Sequence, residues 1–226
     1  MSRLVKKIKV ITTLELVTGL HIGGSKDNVE IGGIDTPVIK IATKNYQPYI
    51  PGSSIKGKMR CLLEQIAGTA EVGGGKLEEG KTREEKQQKI NNLFGYSEDN
   101  LPSKIIVRDA YLQKDSVTTL LSCDNLDMPY TEAKMENVIN RFKGMADPRT
   151  IERIPAGVFF DVEFVINVWD TDGDGQSLIA LIENGIKALE NDYLGGNGSR
   201  GYGQIKFGER SYDNEISFEN YFENEK

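Results

Sequence analysis

Asp35 stands in the turn Gly32-Gly33-Ile34-Asp35-Thr36. Glycines on its amino-terminal side let the backbone come close to a ligand, so the carboxylate can hold a divalent ion against a phosphate or orient an attacking hydroxyl. The commoner use of Asp in such loops is to bond its own backbone. His21, the one histidine of the chain, sits among Gly19, Gly23 and Gly24 and is an acid-base group or a polar contact. A single histidine cannot build a two-histidine ribonuclease site. Far along the chain, Gly195 to Gly203 places five glycines in nine positions around one guanidinium and one ring. Free amide N–H groups of Gly196, Asn197, Gly198, Ser199 and Gly201 can face an anion there. Arg200 can grip a phosphate with two donors, and Tyr202 offers a face for a base. In isolation such a loop is more often a turn closing a helix–strand connection.

A second candidate phosphate site is Pro51-Gly52-Ser53-Ser54-Ile55-Lys56-Gly57-Lys58-Met59-Arg60. Ser53 or Ser54 can cap a helix whose apolar face is Ile55, Met59, Leu62, Leu63 and Ile66. Lys56, Lys58 and Arg60 then gather at the positive end of the helix dipole, where anions bind. The glycine spacing differs from a P-loop, which argues against nucleoside triphosphate binding.

Together with Gly19-Leu20-His21-Ile22-Gly23-Gly24-Ser25 and Gly32-Gly33-Ile34-Asp35-Thr36-Pro37-Val38-Ile39, these segments resemble, in order, the repeated backbone subunit of the type III-A CRISPR effector, the Csm complex, within the RAMP superfamily. The resemblance spans residues 4 to 208 and is weakest over 69 to 92 and after Gly208. It implies an α+β chain with a modified ferredoxin-like (RRM-like) core in a single domain. A lid or helical insertion falls at about 69–92, a base-wedging thumb at 126–154 and an acidic tail at 209–226. The implied partners are a crRNA guide, complementary target RNA, further copies of the chain along the guide and other Csm complex subunits. The implied activity is divalent-metal-dependent endoribonuclease cleavage of the target at regular intervals, with Mg2+ or Mn2+ as the ion. Asp35 matches the aspartate on which that cleavage depends and is the implied metal ligand. His21 is assigned to RNA contact with a catalytic assist. Asp109, Glu132, Glu136 and Glu152 lie in segments resembling the family's active-site surroundings and rank behind Asp35, since most surface carboxylates only solubilise. RNA carries its own nucleophile in the 2′-OH, so the protein has mainly to splay one nucleotide into line and stabilise charge. Two other readings stay open: a non-catalytic structural RNA-binding subunit, and a stand-alone guide-processing endoribonuclease of the same superfamily.

Composition permits these readings. A chain of 226 residues can bury a core, and 38% hydrophobic with 27% charged residues is ordinary for a globular domain. The net charge of -6 argues against indiscriminate nucleic-acid binding, but local patches make phosphate contacts. Cys61 and Cys123 lack metal or disulfide spacing, and no apolar run suits a leader or a membrane span, so a cytoplasmic protein is expected. Asp170-Thr171-Asp172-Gly173-Asp174-Gly175 mimics half of a calcium loop, yet Leu181 stands where a bidentate Glu is needed. A polar strand-to-helix turn is the expected role.

The elements that must hold these residues follow from periodicity. Strands are predicted over Ile8–Val17, Pro37–Ile41 and Ile105–Leu112, and over Val158–Val168, where Val158, Phe160, Val162, Phe164, Ile166 and Val168 share a face. A helix from Ser54 to about Ala67 is closed by Gly68. Residues 69–83 form a loop before a polar helix ending near Phe94 and Gly95. Leu178, Leu181, Ile182, Ile186 and Leu189 mark an amphipathic helix, and Ile205 and Phe207 a closing strand. The stretch 126–154 is too long for a simple connection and should be functional or separately folded, with Met128, Met145 and Pro148 as candidate wedge residues; a solvated charged hairpin is the alternative.

Overall fold

Alternating apolar residues in the two longest strands build the centre of the molecule. A computed structural model describes residues 2–24, 36–69, 81–139, 141–142 and 144–218. In chain order the elements are β1 (Leu4–Leu16), β2 (Lys40–Ile41), β3 (Gln47–Ile50), α1 (Gly52–Ala67), α2 (Lys81–Phe94), β4 (Ile105–Val107), β5 (Ala110–Leu112), α3 (Lys114–Leu121), β6 (Glu132–Ile139), β7 (Ala146–Arg153), β8 (Phe159–Trp169), α4 (Gln176–Glu190), β9 (Ile205–Phe207) and β10 (Ser211–Ser217). This is an α+β chain whose main sheet is antiparallel, in the order β10-β1-β8-β5-β3-β2, with β9 also on β1 and β4 also on β8.

β1 and β8 pair along their length, setting Ile8 opposite Ile166, Val10 opposite Phe164 and Leu14 opposite Phe160. All six alternating residues predicted for β8 are buried on one face. α1 and α4 cover that face with Ile55, Met59, Leu62 and Leu63 from one and Leu178, Ile182, Ile186 and Leu189 from the other. Gly185 permits their close approach, since a Cβ there would lie 2.4 Å from Met59 Cγ. Ile66, predicted on this face, is instead exposed beyond the contact. Gly68 ends α1 with a φ of 71°, as its position after the apolar run foretold.

The start of α1 departs from expectation. Neither Ser53 nor Ser54 caps it; the Gly52 N–H donates to Asp109 Oδ1 at 2.8 Å. Only glycine fits at position 52, because a Cβ would meet Val107 O at 2.1 Å. Turning Asp109 to the helix breaks the strand predicted over Ile105–Leu112. Val107 faces Phe164 and Tyr111 faces Asp161, so four steps on this side meet three on β8, a bulge between β4 and β5.

Within Pro37–Ile41 only Lys40 and Ile41 form a strand, while Thr36 bridges Ile151 and Val38 bridges Gly23. Residues 211–217, read from sequence as part of an acidic tail, form the edge strand β10 against β1. Its start is anchored by Arg210, bidentate to Glu183 at 3.2 and 3.0 Å, and by the Tyr212 hydroxyl on the same carboxylate. The calcium-like segment is a short 3-10 turn between β8 and α4, its Asp172 paired with buried Lys104 at 2.6 Å. β6 and β7 form a separate two-stranded hairpin within the 126–154 stretch. Most of the loop expected over 69–83 and the end of the tail fall outside the described residues.

Candidate nucleic-acid interface

Strand alternation puts Glu132, Lys134 and Glu136 of β6 beside Arg153, Ile151 and Arg149 of β7, and this face meets the glycine-rich loop. Gly198–Arg200 make one 3-10 turn, entered through Asn197 at φ 60° and left through Gly201 at φ 84°. Its crest, Ser199 to Gly201, is exposed. Arg200 Nη1 lies 3.0 Å from Glu136 Oε2, Arg149 Nη2 lies 3.1 Å from the same oxygen, and Lys134 Nζ lies 3.7 Å from Oε1. Arg149 also reaches Asn197 Oδ1 at 3.5 Å, while Arg153 Nε donates to Glu132 Oε1 at 2.5 Å. Four cations thus surround two carboxylates. The hairpin base is a local basic patch on a chain of negative net charge.

Tyr202 is not the open base platform expected from sequence. It is 1% exposed, with Lys134 Nζ 4.4 Å and the Arg153 guanidinium 5.1 Å from its ring centroid. Burial, then Glu136, pushes its phenol up to about 12. Burial would raise the Glu136 carboxyl, but the Tyr202 hydroxyl, Arg200 and Lys134 outweigh it and hold Glu136 below the ordinary carboxylate value. The Tyr202 hydroxyl, although near Glu136, closes no hydrogen bond of good geometry among the described residues, and Arg149 Nε is likewise buried and unsatisfied.

The glycines divide by what they permit. A Cβ at Gly198 would sit 2.0 Å from the Tyr193 ring, whereas one at Gly201 meets nothing within 4 Å and suffers only from its positive φ. Gly198→Ala is therefore expected to destabilise the fold by about 1–3 kcal/mol through overpacking. Gly201→Ala should cost about 1 kcal/mol of backbone strain. Thermal melts order the two, and equal melting temperatures would show that Tyr193 moves aside freely.

At the basic start of α1, predicted as an open anion site, each cation has a partner within the chain. Lys56 Nζ bonds Ser103 Oγ at 2.7 Å and Ile105 O at 3.2 Å, and its pKa is lowered by burial and by Arg60. Lys58 pairs with Asp192 at 2.8 Å and lies over the Tyr193 ring. Arg60 binds Glu64, Gly95 O and Asn91. With Asp109 at the helix end, this segment ties α1 to its neighbours, and Ser53 is exposed without capping.

His21 and Glu152 meet at the root of the hairpin. His21 is buried and its Nδ1 lies 2.7 Å from the Glu152 carbonyl, which can only accept, so Nδ1 is the donor. The Gly196 N–H donates to His21 O at 2.8 Å, joining this turn to the glycine-rich loop. The Glu152 carboxylate accepts from Val38 N at 2.9 Å and Thr131 Oγ1 at 2.6 Å and pairs with Lys40. Asp35 itself lies outside the described residues; the chain is described again from Thr36, whose carbonyl accepts from Glu152 N at 3.2 Å. Lys134, Arg149 and Arg153, which sequence reading left unassigned within the hairpin, are detectable there as the charged members of a period-two alternation.

No group of three His, Cys, Asp or Glu among the described residues is placed to hold a metal ion. Glu132, Glu136 and Glu152 are each engaged with cations. The seat suits an anion with several acceptor oxygens, and none of the described helices is long and apolar enough to cross a membrane.

Known proteins resemble this chain in sequence and fold. The RAMP superfamily profile matches residues 13–206. The chain is 39% identical over 203 residues to the CRISPR system Cms endoribonuclease Csm3 of Enterococcus italicus, covering 89% of each chain. It is 43% identical over 216 residues to the protein of that name from Methanocaldococcus jannaschii, covering 92% of this chain and 82% of that one. Among solved structures, the Csm3–Csm4 subcomplex of the type III-A CRISPR-Cas interference complex aligns with a TM-score of 0.55 at 31% identity, over 92% of this chain and 78% of that one. The type III-B Cmr-beta complex bound to cognate target RNA aligns at 0.62 over 94% and 61% of the two chains; at 18% identity that likeness is one of fold alone. The chain belongs to the RAMP superfamily and, inside it, to the family of CRISPR Csm3 proteins.

Proposed function

We propose that this chain is a crRNA-binding backbone subunit of a type III-A CRISPR effector, lining up with further copies along the guide and cutting the paired target RNA beside its own Asp35. The observation that carries this reading is convergence on one strand. Arg149 of β7 joins Asn197 and Arg200 of the glycine-rich loop, while Ile151 and Glu152 of the same strand hold Thr36, one peptide bond from Asp35. Binding seat and catalytic candidate thereby share a support, as sites that demand precise placement do.

Guide phosphates sit against Arg149, Arg200 and the N–H groups of the loop crest. The exposed hairpin residues Ile139, Phe142 and Met145 form the wedge that parts the paired strands. A splayed target nucleotide then directs its 2′-oxygen in line at the adjacent phosphorus. The P–O5′ bond breaks, leaving a 2′,3′-cyclic phosphate and a 5′-hydroxyl that takes up a proton, while Asp35 receives or orients the proton of the 2′-OH. His21, oriented by its Nδ1 bond to the Glu152 carbonyl, belongs to the RNA-contacting surround. A divalent ion, Mg2+ or Mn2+, would be held by Asp35 together with RNA phosphate oxygens and would supply charge stabilisation at the reacting phosphate.

The same reading assigns β1, α1, β4 with β5, β8, α4 and β9 to a ferredoxin-like core. The pairing of β9 with β1, β1 with β8 and β8 with β4 and β5 supports it. The 126–154 hairpin is its thumb and α2 belongs to its lid or helical insertion. A complex reconstituted with guide is expected to cut a paired target at evenly spaced positions, each blocked alone by a 2′-deoxy nucleotide placed there. Cutting through the deoxy position at the normal rate removes the internal nucleophile, and an uncut target returns the chain to a structural RNA-binding role.

A further inference from the structure

Among the described residues of the hairpin base, Glu136 is the carboxylate on which three cations converge. Its Oε2 takes Arg149 and Arg200, and Lys134 stands by Oε1. Arg149 Nε remains buried and unsatisfied among the described residues, and the Tyr202 hydroxyl stands beside Glu136 without a hydrogen bond of good geometry. Buried donors without acceptors are costly and uncommon, so a surplus of them beside exposed Arg200 marks a place where a larger anion completes the set. A phosphate presents more acceptor oxygens than a carboxylate and matches the arginine fork equally well. We propose that Glu136 is a built-in phosphate mimic, seated on Arg149, Arg200 and Lys134 in the RNA-free chain and displaced by an RNA phosphate on binding.

This inference rests on the assignment of the loop and hairpin base to RNA. It adds a consequence for specificity. Each bound RNA phosphate must replace an existing ion pair, so the carboxylate weakens all RNA binding at this seat by a fixed factor. RNA held only loosely elsewhere stays off, and a guide held along its length remains bound. Displaced Glu136 also recovers a cation from solution, which cancels part of the counterion release that drives RNA binding.

End-labelled oligouridine, titrated by fluorescence anisotropy onto the full chain over a salt series, tests the proposal. Glu136→Gln, which keeps the shape and one acceptor, is expected to tighten binding about tenfold and to steepen the salt slope by about one. Glu163→Gln removes the same charge from a sheet carboxylate whose partner Arg108 is 3.8 Å away, and is expected to change binding by less than about twofold. Glu136→Asp, with its charge drawn back by one methylene, should give a smaller gain and carries the test alone if the Gln variant does not fold. Equal gains in Glu136→Gln and Glu163→Gln overturn the proposal in favour of a general charge effect. Weaker binding in Glu136→Gln, or in Glu136→Asp where it stands alone, overturns it in favour of a clamp that holds the arginines ready. Arg200→Gln separates the inference from its foundation: unchanged RNA binding there removes the seat itself, whereas weakened binding without a gain in Glu136→Gln removes only the displaced carboxylate.

Discussion

Asp35→Ala is expected to slow target cleavage by the assembled complex on the order of a thousandfold, the size of effect seen when a group acting on the transition state is removed. Guide binding and assembly should hardly change. The segment after Asp35 is fixed by bonds that do not involve its side chain: Glu152 N to Thr36 O, Gly24 N to Pro37 O at 2.9 Å, Ile39 N to Ile22 O at 2.9 Å and Val38 N to the Glu152 carboxylate. Single-turnover cleavage, resolved on a denaturing gel beside a filter-binding measurement of the guide, separates the two effects. Cleavage at the unaltered rate would strip Asp35 of its role. A parallel fall in guide binding and cleavage would instead make its loop part of the RNA seat.

What could be read from sequence was whatever repeats with the period of its element. The β8 alternation, the faces of α1 and α4 and the stop at Gly68 each depend on local pattern, and each is found where that pattern put it, save Ile66 at the end of the α1 face. The partners of charged side chains carry no such period. Lys56, Lys58 and Arg60 look like an anion site in one dimension, yet Ser103, Asp192, Asn91 and Gly95 arrive from distant parts of the chain to occupy them. Asp109 could not be recognised as the cap of α1, and so the break it makes between β4 and β5 was hidden too. Residues 211–217 read as a tail in sequence, because their acidic composition says nothing about the open edge of β1 or about Arg210 and Tyr212 closing on Glu183. At the site itself, Arg200 was legible as a guanidinium among glycines. Its engagement with Glu136 depends on the hairpin folding over the loop, which only the tertiary structure provides.

Glu152 is a candidate for chemistry, and its contacts favour a positioning task. At 1% exposure it accepts from Val38 N and Thr131 Oγ1 and pairs with Lys40, while its own backbone holds His21 and Thr36. One residue thus ties the hairpin root, the His21 turn and the segment leading from Asp35. Glu152→Ala strands a backbone N–H, a hydroxyl and a partly buried ammonium, and is expected to cost about 3–5 kcal/mol, as the loss of one partner of a buried ion pair does. In a chain of this size that lowers the melting temperature on the order of 10 °C. Glu152→Gln keeps one acceptor and should cost about half as much. Cleavage should fall in both variants in step with stability, because the Asp35 segment loses its anchor, and the pH–rate profile of the remaining activity should keep its shape. A positioning residue behaves so. A Glu152→Gln complex that melts like the wild type but cuts nothing, or whose pH–rate profile loses a limb, would make Glu152 an acid-base group and move the reacting phosphate to its side of the hairpin.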